Sequence, residues 1–370
     1  MVDDTTGTRV ALVLATSTGG VGQHVRSLAA RLVSAGLRVS VCGPGATERL
    51  FGFTSVGARF HPVEIASGPQ ALVDLRAVVD LRAATADADV VHAHGLRAGL
   101  VAVLAASGRP TPLVVSWHNL PPDVVGPARV VSALLERVVA RGAGITLGAS
   151  ADLVARALAA GGRDVRLAPV GVTPPRLPRR VPLAVREELG VDGRPVVLAV
   201  GRLHPQKGYD VLVAAAARWA HRDPAPLVVV VGSGPLEARI RAEIDRLEAP
   251  VRLLGQRDDV AELMSAADLV VLPSRWEARS LVAQEALHAG RPLVASAVGG
   301  LPELLGDGAM LVPAGDVDAL DRAVRELLDD PDRAGELAAR GRQRARTWPT
   351  EDDTATQVRA VYAELLGVHR

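Results

Sequence analysis

The sequence predicts two successive doubly wound α/β domains, and three observations predict it. Short, continuously apolar runs alternate with longer helical patterns, as expected for parallel strands covered by helices on both faces. One stretch rich in proline and arginine, TPPRLPRRVP at residues 173–182, interrupts the series and reads as a boundary. The length of 370 residues suits two domains, and 48% hydrophobic content is enough to fill two cores.

The first series places strands at Arg9–Ala15, Arg38–Cys42, Arg59–Val63, Asp89–Ala93, Leu113–Trp117, Gly144–Leu147 and Val165–Ala168. Helical patterns fill Gly22–Ala35, Gln70–Ala86, Leu96–Ser107, Ala128–Arg141 and Ala151–Ala160. After the boundary, strands follow at Pro195–Val200, Leu227–Val231, Val251–Leu254, Leu269–Leu272, Leu293–Ser296 and Met310–Val312, again with helices between them. The expected domains are 1–174 and 182–345. Trp348 and Pro349 then end a helix, and Glu351–Leu366 forms a last amphipathic one within a separate segment, 346–370.

Composition excludes several classes. Net charge is +1, too little for a nucleic-acid footprint. The single cysteine, Cys42, sits in an apolar run, so an internal disulfide and a cysteine metal cluster are both excluded. The start, MVDDTTGTRV, is polar and acidic and does not read as a signal peptide. No run approaches the ~18 apolar residues that span a bilayer. A cytoplasmic protein is expected. Helix 128–141, with Arg129, Arg137 and Arg141, reads as a surface helix; peripheral contact with anionic lipid is the alternative.

Ligands of doubly wound sheets bind at the carboxyl ends of strands, and with two domains the cleft between them is the default site. Five loops there stand out. STGGVGQHV at 17–25 follows the first strand and precedes a helix, so backbone amides can approach a ligand; it lacks the third glycine of a dinucleotide fingerprint. In the stretch from Gly201 to Gly208, Arg202 and Lys207 flank a loop between strand and helix. Lys207 is the only lysine among 42 Lys and Arg residues. A planar guanidinium fork and a compact ammonium together suit a phosphate. Gly232, Ser233 and Gly234 form a turn before Pro235, a good first helical residue. Glu277 lies in the loop after strand 269–272, and Glu285 lies in the next helix, whose N-terminus at Ser280–Leu281 adds donors. Paired carboxylates of this kind accept hydrogen bonds from vicinal hydroxyls. His118, after the fifth strand, is expected to face the cleft; His92 and His94 alternate at a strand end with no carboxylate or cysteine near them in sequence. A sugar nucleotide presents a base, a ribose, a diphosphate and a sugar, and these loops offer matching groups.

With these residues in place the chain resembles the family 4 glycosyltransferases, retaining enzymes of the GT-B fold, over essentially its whole length. The resemblance rests on GGVGQHV, on GRLHPQKG, and on the E-x7-E element Glu277–Glu285 followed by AVGGLPEL. It implies two Rossmann-like domains with an interdomain cleft and a last helix crossing back to the first domain. It implies that Arg202 and Lys207 bind the donor diphosphate, Glu285 holds the ribose, Glu277 and His118 lie near the transferred sugar, and Gly20 brings backbone to the donor phosphate. It also implies a nucleotide-diphosphate sugar as donor, a hexose-type sugar, retention without a covalent nucleophile, and no cofactor.

Three departures from the family pattern stand out. Ala278, Arg279 and Ser280 replace the usual Gly-Phe-Gly whose amides meet sugar hydroxyls. Asn119 follows the histidine in place of aspartate, and Val170-Gly171-Val172-Thr173 replaces Asn-Gly-Val-Asp. Two D-x-D pairs, Asp87/Asp89 and Asp316/Asp318, read as a turn and a helix start rather than metal ligands, so no metal is expected. The base stays open among UDP-, GDP- and ADP-sugars, and the acceptor among lipid, glycan and small molecule. A sugar-nucleotide epimerase or a non-catalytic module of the same fold is the alternative reading.

Overall fold

A computed structural model of the chain describes residues 7–17, 19–66, 68, 70–119, 127–171, 178–191 and 193–367. Two compact units emerge, Met1–Gly171 with Pro349–Arg370, and Val172–Trp348. The expected proline-rich boundary falls largely outside the described residues.

In the first unit seven parallel strands form one sheet: β1 Arg9–Leu14, β2 Arg38–Gly43, β3 Arg59–Pro62, β4 Val90–His94, β5 Leu113–Trp117, β6 Ile145–Gly148 and β7 Val165–Leu167, in the order β3-β2-β1-β4-β5-β6-β7. All pairings are parallel, with Leu14 opposite His94 and His94 opposite Ser116. Strands β1, β4 and β5 are buried almost throughout, which is why their sequences are continuously apolar rather than alternating. Order reverses between β1 and β4, so the loops after these two strands diverge and leave a crevice at their carboxyl ends.

The last helix, Glu351–Leu365, belongs to this unit. Its Ala355, Val358, Val361 and Tyr362 join the core built by β1, β2 and the helix Gly20–Ser34. Thr350 and Asp353 close a reciprocal capping box at its start. Arg31 pairs with Glu351 and Asp352 at 2.8 and 2.7 Å, Arg166 with Glu364 at 2.6 Å, and Thr354 Oγ1 accepts from the Gly171 amide at 2.8 Å. The resemblance implied a final helix that returns to the first domain, and the helix packs there.

The second unit carries six parallel strands: β8 Val196–Val200, β9 Leu227–Val231, β10 Val251–Leu253, β11 Leu269–Leu272, β12 Leu293–Ser296 and β13 Met310–Val312, in the order β10-β9-β8-β11-β12-β13. Alternate side chains enter opposite cores: Val196 and Leu198 pack with Val270 and Leu272, while Val197 and Ala199 pack with Leu269 and Val271. The reversal here lies between β8 and β11. The expected α/β architecture of two Rossmann-like domains is the observed one. Sequence reading did not anticipate the helix Gly45–Phe51, which starts after Pro44 and ends at the left-handed Gly52. Its seven residues are too short for a periodic signal, and glycine and proline at its start look like a loop.

Candidate active site

The loop after β8 and the loop after β11 meet at the switch point of the second sheet. Lys207 ends a short 3₁₀ turn, Pro205–Lys207, and Gly208 follows with φ of +66°. A side chain at Gly208 would stand 2.0 Å from the Pro273 carbonyl oxygen, so only glycine lets the two loops close this tightly. The contact is then fastened by polar bonds. Gln206 Nε2 donates to the Trp276 carbonyl at 2.7 Å, the Arg275 amide donates to the Gln206 carbonyl at 2.7 Å, and Arg275 pairs with Asp210 at 2.6 Å.

These bonds bring Lys207 to Glu277. Lys207 Nζ donates to Glu277 Oε1 at 2.6 Å, and Ser274 Oγ donates to the same oxygen at 2.7 Å. Glu277 is buried, and its carboxylate is compensated by an ammonium and a hydroxyl. An ammonium has three donors, so two remain for a ligand. Arg202, after β8, is exposed and has no side-chain partner among the described residues. Tyr209 donates its hydroxyl to the Gly201 carbonyl at 3.0 Å, and burial raises its pKa, which keeps it protonated.

The turn after β9 approaches the same strand end. Gly232 has φ of +138°, and a Cβ there would lie 2.0 Å from the Gly201 carbonyl oxygen. Its amide is committed to the Gly255 carbonyl at 2.8 Å, and Ser233 lends its carbonyl to Leu203 at 3.0 Å. Any amide donation to a ligand from this turn falls to Ser233 and Gly234.

Ser280 caps the helix Leu281–His288, its Oγ accepting from the Ala283 amide. Glu285 lies in the second turn of that helix, half-buried, and desolvation raises its carboxyl above the usual range. No hydrogen bond or ion pair to its carboxylate is found among the described residues. Arg279 lies with its guanidinium 5.9 Å from the Trp348 ring centre; its Nε and Nη2 are buried without partners, and burial pulls its pKa down to about 10. It remains charged at neutral pH.

In the first unit, His118 follows β5, His94 ends β4, and His24 sits in the helix after β1. His94 Nδ1 and His118 Nε2 are 3.1 Å apart, with their rings stacked at 5.4 Å. His24 meets both edge-on, at 5.5 and 5.1 Å. Beneath them His92 is fixed by Tyr362 Oη at 2.7 Å and Ser116 Oγ at 2.8 Å. Desolvation keeps all four rings neutral: His24 falls to about 4, His92 to about 3, and His94 and His118 well below the ordinary value. Gly20 opens the helix Gly20–Ser34 after Gly19; Thr18 lies outside the described residues. Sequence reading missed His24 in this cluster, although the order β1-β4-β5 sets the ends of these three strands side by side.

Three of the four D-x-D carboxylates are engaged elsewhere. Asp316 caps the helix Val317–Asp329, Asp318 pairs with Arg218 at 2.6 Å, and Asp89 pairs with Arg9 at 2.6 Å.

Comparison with known proteins follows the same division. The family described as Glycosyl transferases group 1 matches residues 184–348, and the Glycosyl transferase 4-like domain matches residues 19–173. D-inositol 3-phosphate glycosyltransferase 1 of Catenulispora acidiphila is 31% identical, covering 88% of this chain and 86% of its own. Alpha-maltose-1-phosphate synthase of Mycolicibacterium smegmatis is 32% identical, covering 88% and 90%. Among solved structures, sucrose-phosphate synthase from Thermosynechococcus elongatus superposes with a TM-score of 0.82 at 24% identity, covering 98% of this chain and 100% of its own. The fold is GT-B. The chain belongs to the family 4 glycosyltransferases and is an enzyme that transfers sugars.

Proposed function

We propose that this enzyme moves a hexose-type sugar from a nucleotide-diphosphate sugar to an acceptor hydroxyl, with retention at the anomeric carbon and without a metal or other cofactor. The observation that carries the reading is the Lys207–Glu277 pair at the switch point of the second sheet, with the exposed Arg202 two residues beyond the end of β8 and the Glu285 carboxylate unpaired on the helix after Glu277. Cleavage of the sugar–phosphate bond develops negative charge on the leaving diphosphate. Arg202 and the two remaining Lys207 donors supply fixed positive charge for it, the service a metal gives in other transferases. Gly20, Ser233 and Gly234 contribute close backbone approach to the phosphates, and Gly232 lets their turn close against Gly201. Glu285 accepts from the ribose hydroxyls, and Glu277 from the transferred sugar, which also meets the amides of Arg279, Ser280 and Leu281. The role of His118 in transfer rests on the family's motif pattern.

Retention follows if the acceptor attacks from the face the diphosphate leaves, its proton passing to a leaving phosphate oxygen. The donor base stays among uracil, guanine and adenine. Two relatives carry phosphorylated molecules in their names, D-inositol 3-phosphate and maltose-1-phosphate, so phosphorylated polyols and sugars are the first acceptors to assay. The test offers UDP-, GDP- and ADP-glucose with these acceptors and reads the product by proton NMR. A new α-glycosidic bond supports the reading. Isomerised donor with no transfer would favour an epimerase, and a β-linked product would remove retention.

A second reading concerns the helix Pro127–Gly142. It exposes Val130, Val131 and Leu134 (71, 52 and 55%) beside the exposed Arg129 and Arg137. Apolar side chains flanked by guanidinium groups suit peripheral contact with anionic lipid. Co-sedimentation with phosphatidylglycerol vesicles but not phosphatidylcholine vesicles tests it. Among the described residues no helix is long and apolar enough to cross a membrane.

A further inference from the structure

The first unit holds a cluster whose chemistry exceeds a role for one histidine. His24, His94 and His118 come from a helix and two strand ends, and one ring nitrogen from each lies within 4.8 Å of the others. The closest pair stands at 3.1 Å. Nitrogens bound to one tetrahedral zinc at about 2.0–2.1 Å stand about 3.3 Å apart. The 3.1 Å pair is already near that spacing, and His24 is partly exposed, which leaves its ring room to turn.

One further observation concerns the three rings. Behind them His92 stacks on His94 at 4.2 Å, itself held by Tyr362 and Ser116, which limits how far His94 can turn. Three imidazoles with no carboxylate among the ligands suit zinc, copper or nickel and disfavour magnesium and calcium.

We propose that His24, His94 and His118 form a tri-histidine site for a zinc-type divalent ion, with the fourth position open to water or an anion. Each ring binds through its unprotonated nitrogen and keeps its proton on the other, so no net proton is released at neutral pH. The site does not serve the transfer chemistry. Filling it ties down His118, so zinc is expected to lower turnover; that consequence rests on the role proposed for His118, whereas binding does not.

The test uses the full chain, stripped with chelator, loaded with zinc, freed of excess by gel filtration and assayed by elemental analysis. Cobalt loading reports geometry through the strong visible bands of a tetrahedral nitrogen site. About one retained zinc is expected, with affinity at least ~10-fold lower in His24→Ala and in His118→Asn, both checked for folding by circular dichroism. Magnesium should not compete. No retained zinc in the wild type, or equal retention in both folded variants, overturns the site. Zinc retained with turnover unchanged keeps the site and removes His118 from the reaction.

Discussion

Lys207 and Glu277, seventy residues apart in sequence, share a 2.6 Å charged hydrogen bond that Ser274 reinforces on the same carboxylate oxygen. The ammonium is therefore oriented before any donor arrives. The carboxylate read as a contact for the sugar is the same group that holds the cation read as a contact for the diphosphate.

Lys207→Ala and Arg202→Ala should each lower turnover by at least ~10²-fold through loss of a leaving-group donor. Arg202 is exposed and its loss should leave thermal stability unchanged. Lys207→Ala strips the buried Glu277 of its counter-charge, so some loss of melting temperature is expected alongside the kinetic one. Steady-state rates on the preferred donor, read beside a thermal melt, separate the two effects. Near-normal turnover in Lys207→Ala would end the assignment.

The two glutamates should separate in a titration. Glu285→Ala removes a charged acceptor worth roughly 1.5–3 kcal/mol, or ten- to a hundredfold in nucleoside diphosphate affinity. Glu277→Ala should damage transfer while leaving nucleotide affinity close to wild type or tighter, because it releases Lys207 from its partner. Calorimetric titration of both variants decides; the reverse pattern would exchange the two roles.

Ser274→Ala offers a gentler probe of the same pair. The variant keeps both charges and removes one hydrogen bond to a carboxylate, which contributes roughly 1.5–3 kcal/mol at a charged group. Turnover should fall about tenfold or more with little change in nucleotide affinity. Equal loss in both quantities would mean that Ser274 shapes the whole loop rather than the carboxylate.

On the proposed reading, in which Arg202 and Lys207 supply the charge a metal would carry, transfer should persist in excess chelator. Loss of activity restored by magnesium or manganese would count against the metal-free reading.

Acid should weaken the first unit. The buried His92 has its pKa lowered to about 3, so the unfolded chain binds a proton below about pH 6.5 that the folded chain refuses until about pH 3. Stability from this group is full above pH 6.5 and is lost as pH falls through that window. A His92→Gln variant should show a shallower fall in melting temperature between pH 6.5 and 4, whatever its absolute stability.

Much of this was legible in the chain itself. Strands β4, β5, β8, β9 and β11 are buried on both faces, and continuous apolar runs declare that arrangement without any tertiary knowledge. The candidate residues were legible because phosphate chemistry singles out Lys207 in a chain otherwise furnished with arginine. What sequence could not display was pairing across distance. The bond from Lys207 to Glu277 depends on β8 and β11 being neighbours, a fact of strand order with no local signature. His24 escaped for the same reason: its partners arrive on β4 and β5, and each histidine looks solitary when read along the chain. Arg279 was expected beside the donor through its amide, and nothing in its neighbours foretold that its side chain would lie over Trp348.

The helix Glu351–Leu365 fills the core of the unit that the ribosome makes first. Val358, Val361 and Tyr362 are the last large pieces of that core to leave the exit tunnel, after the whole second unit has been made. Domains usually mature in order of synthesis. Here the first unit must wait, its β1 and β2 surfaces open, until the second unit has been synthesised. A chain stopped within the second unit is therefore left with an unclosed apolar seam in the first, a mark that quality-control proteases can read.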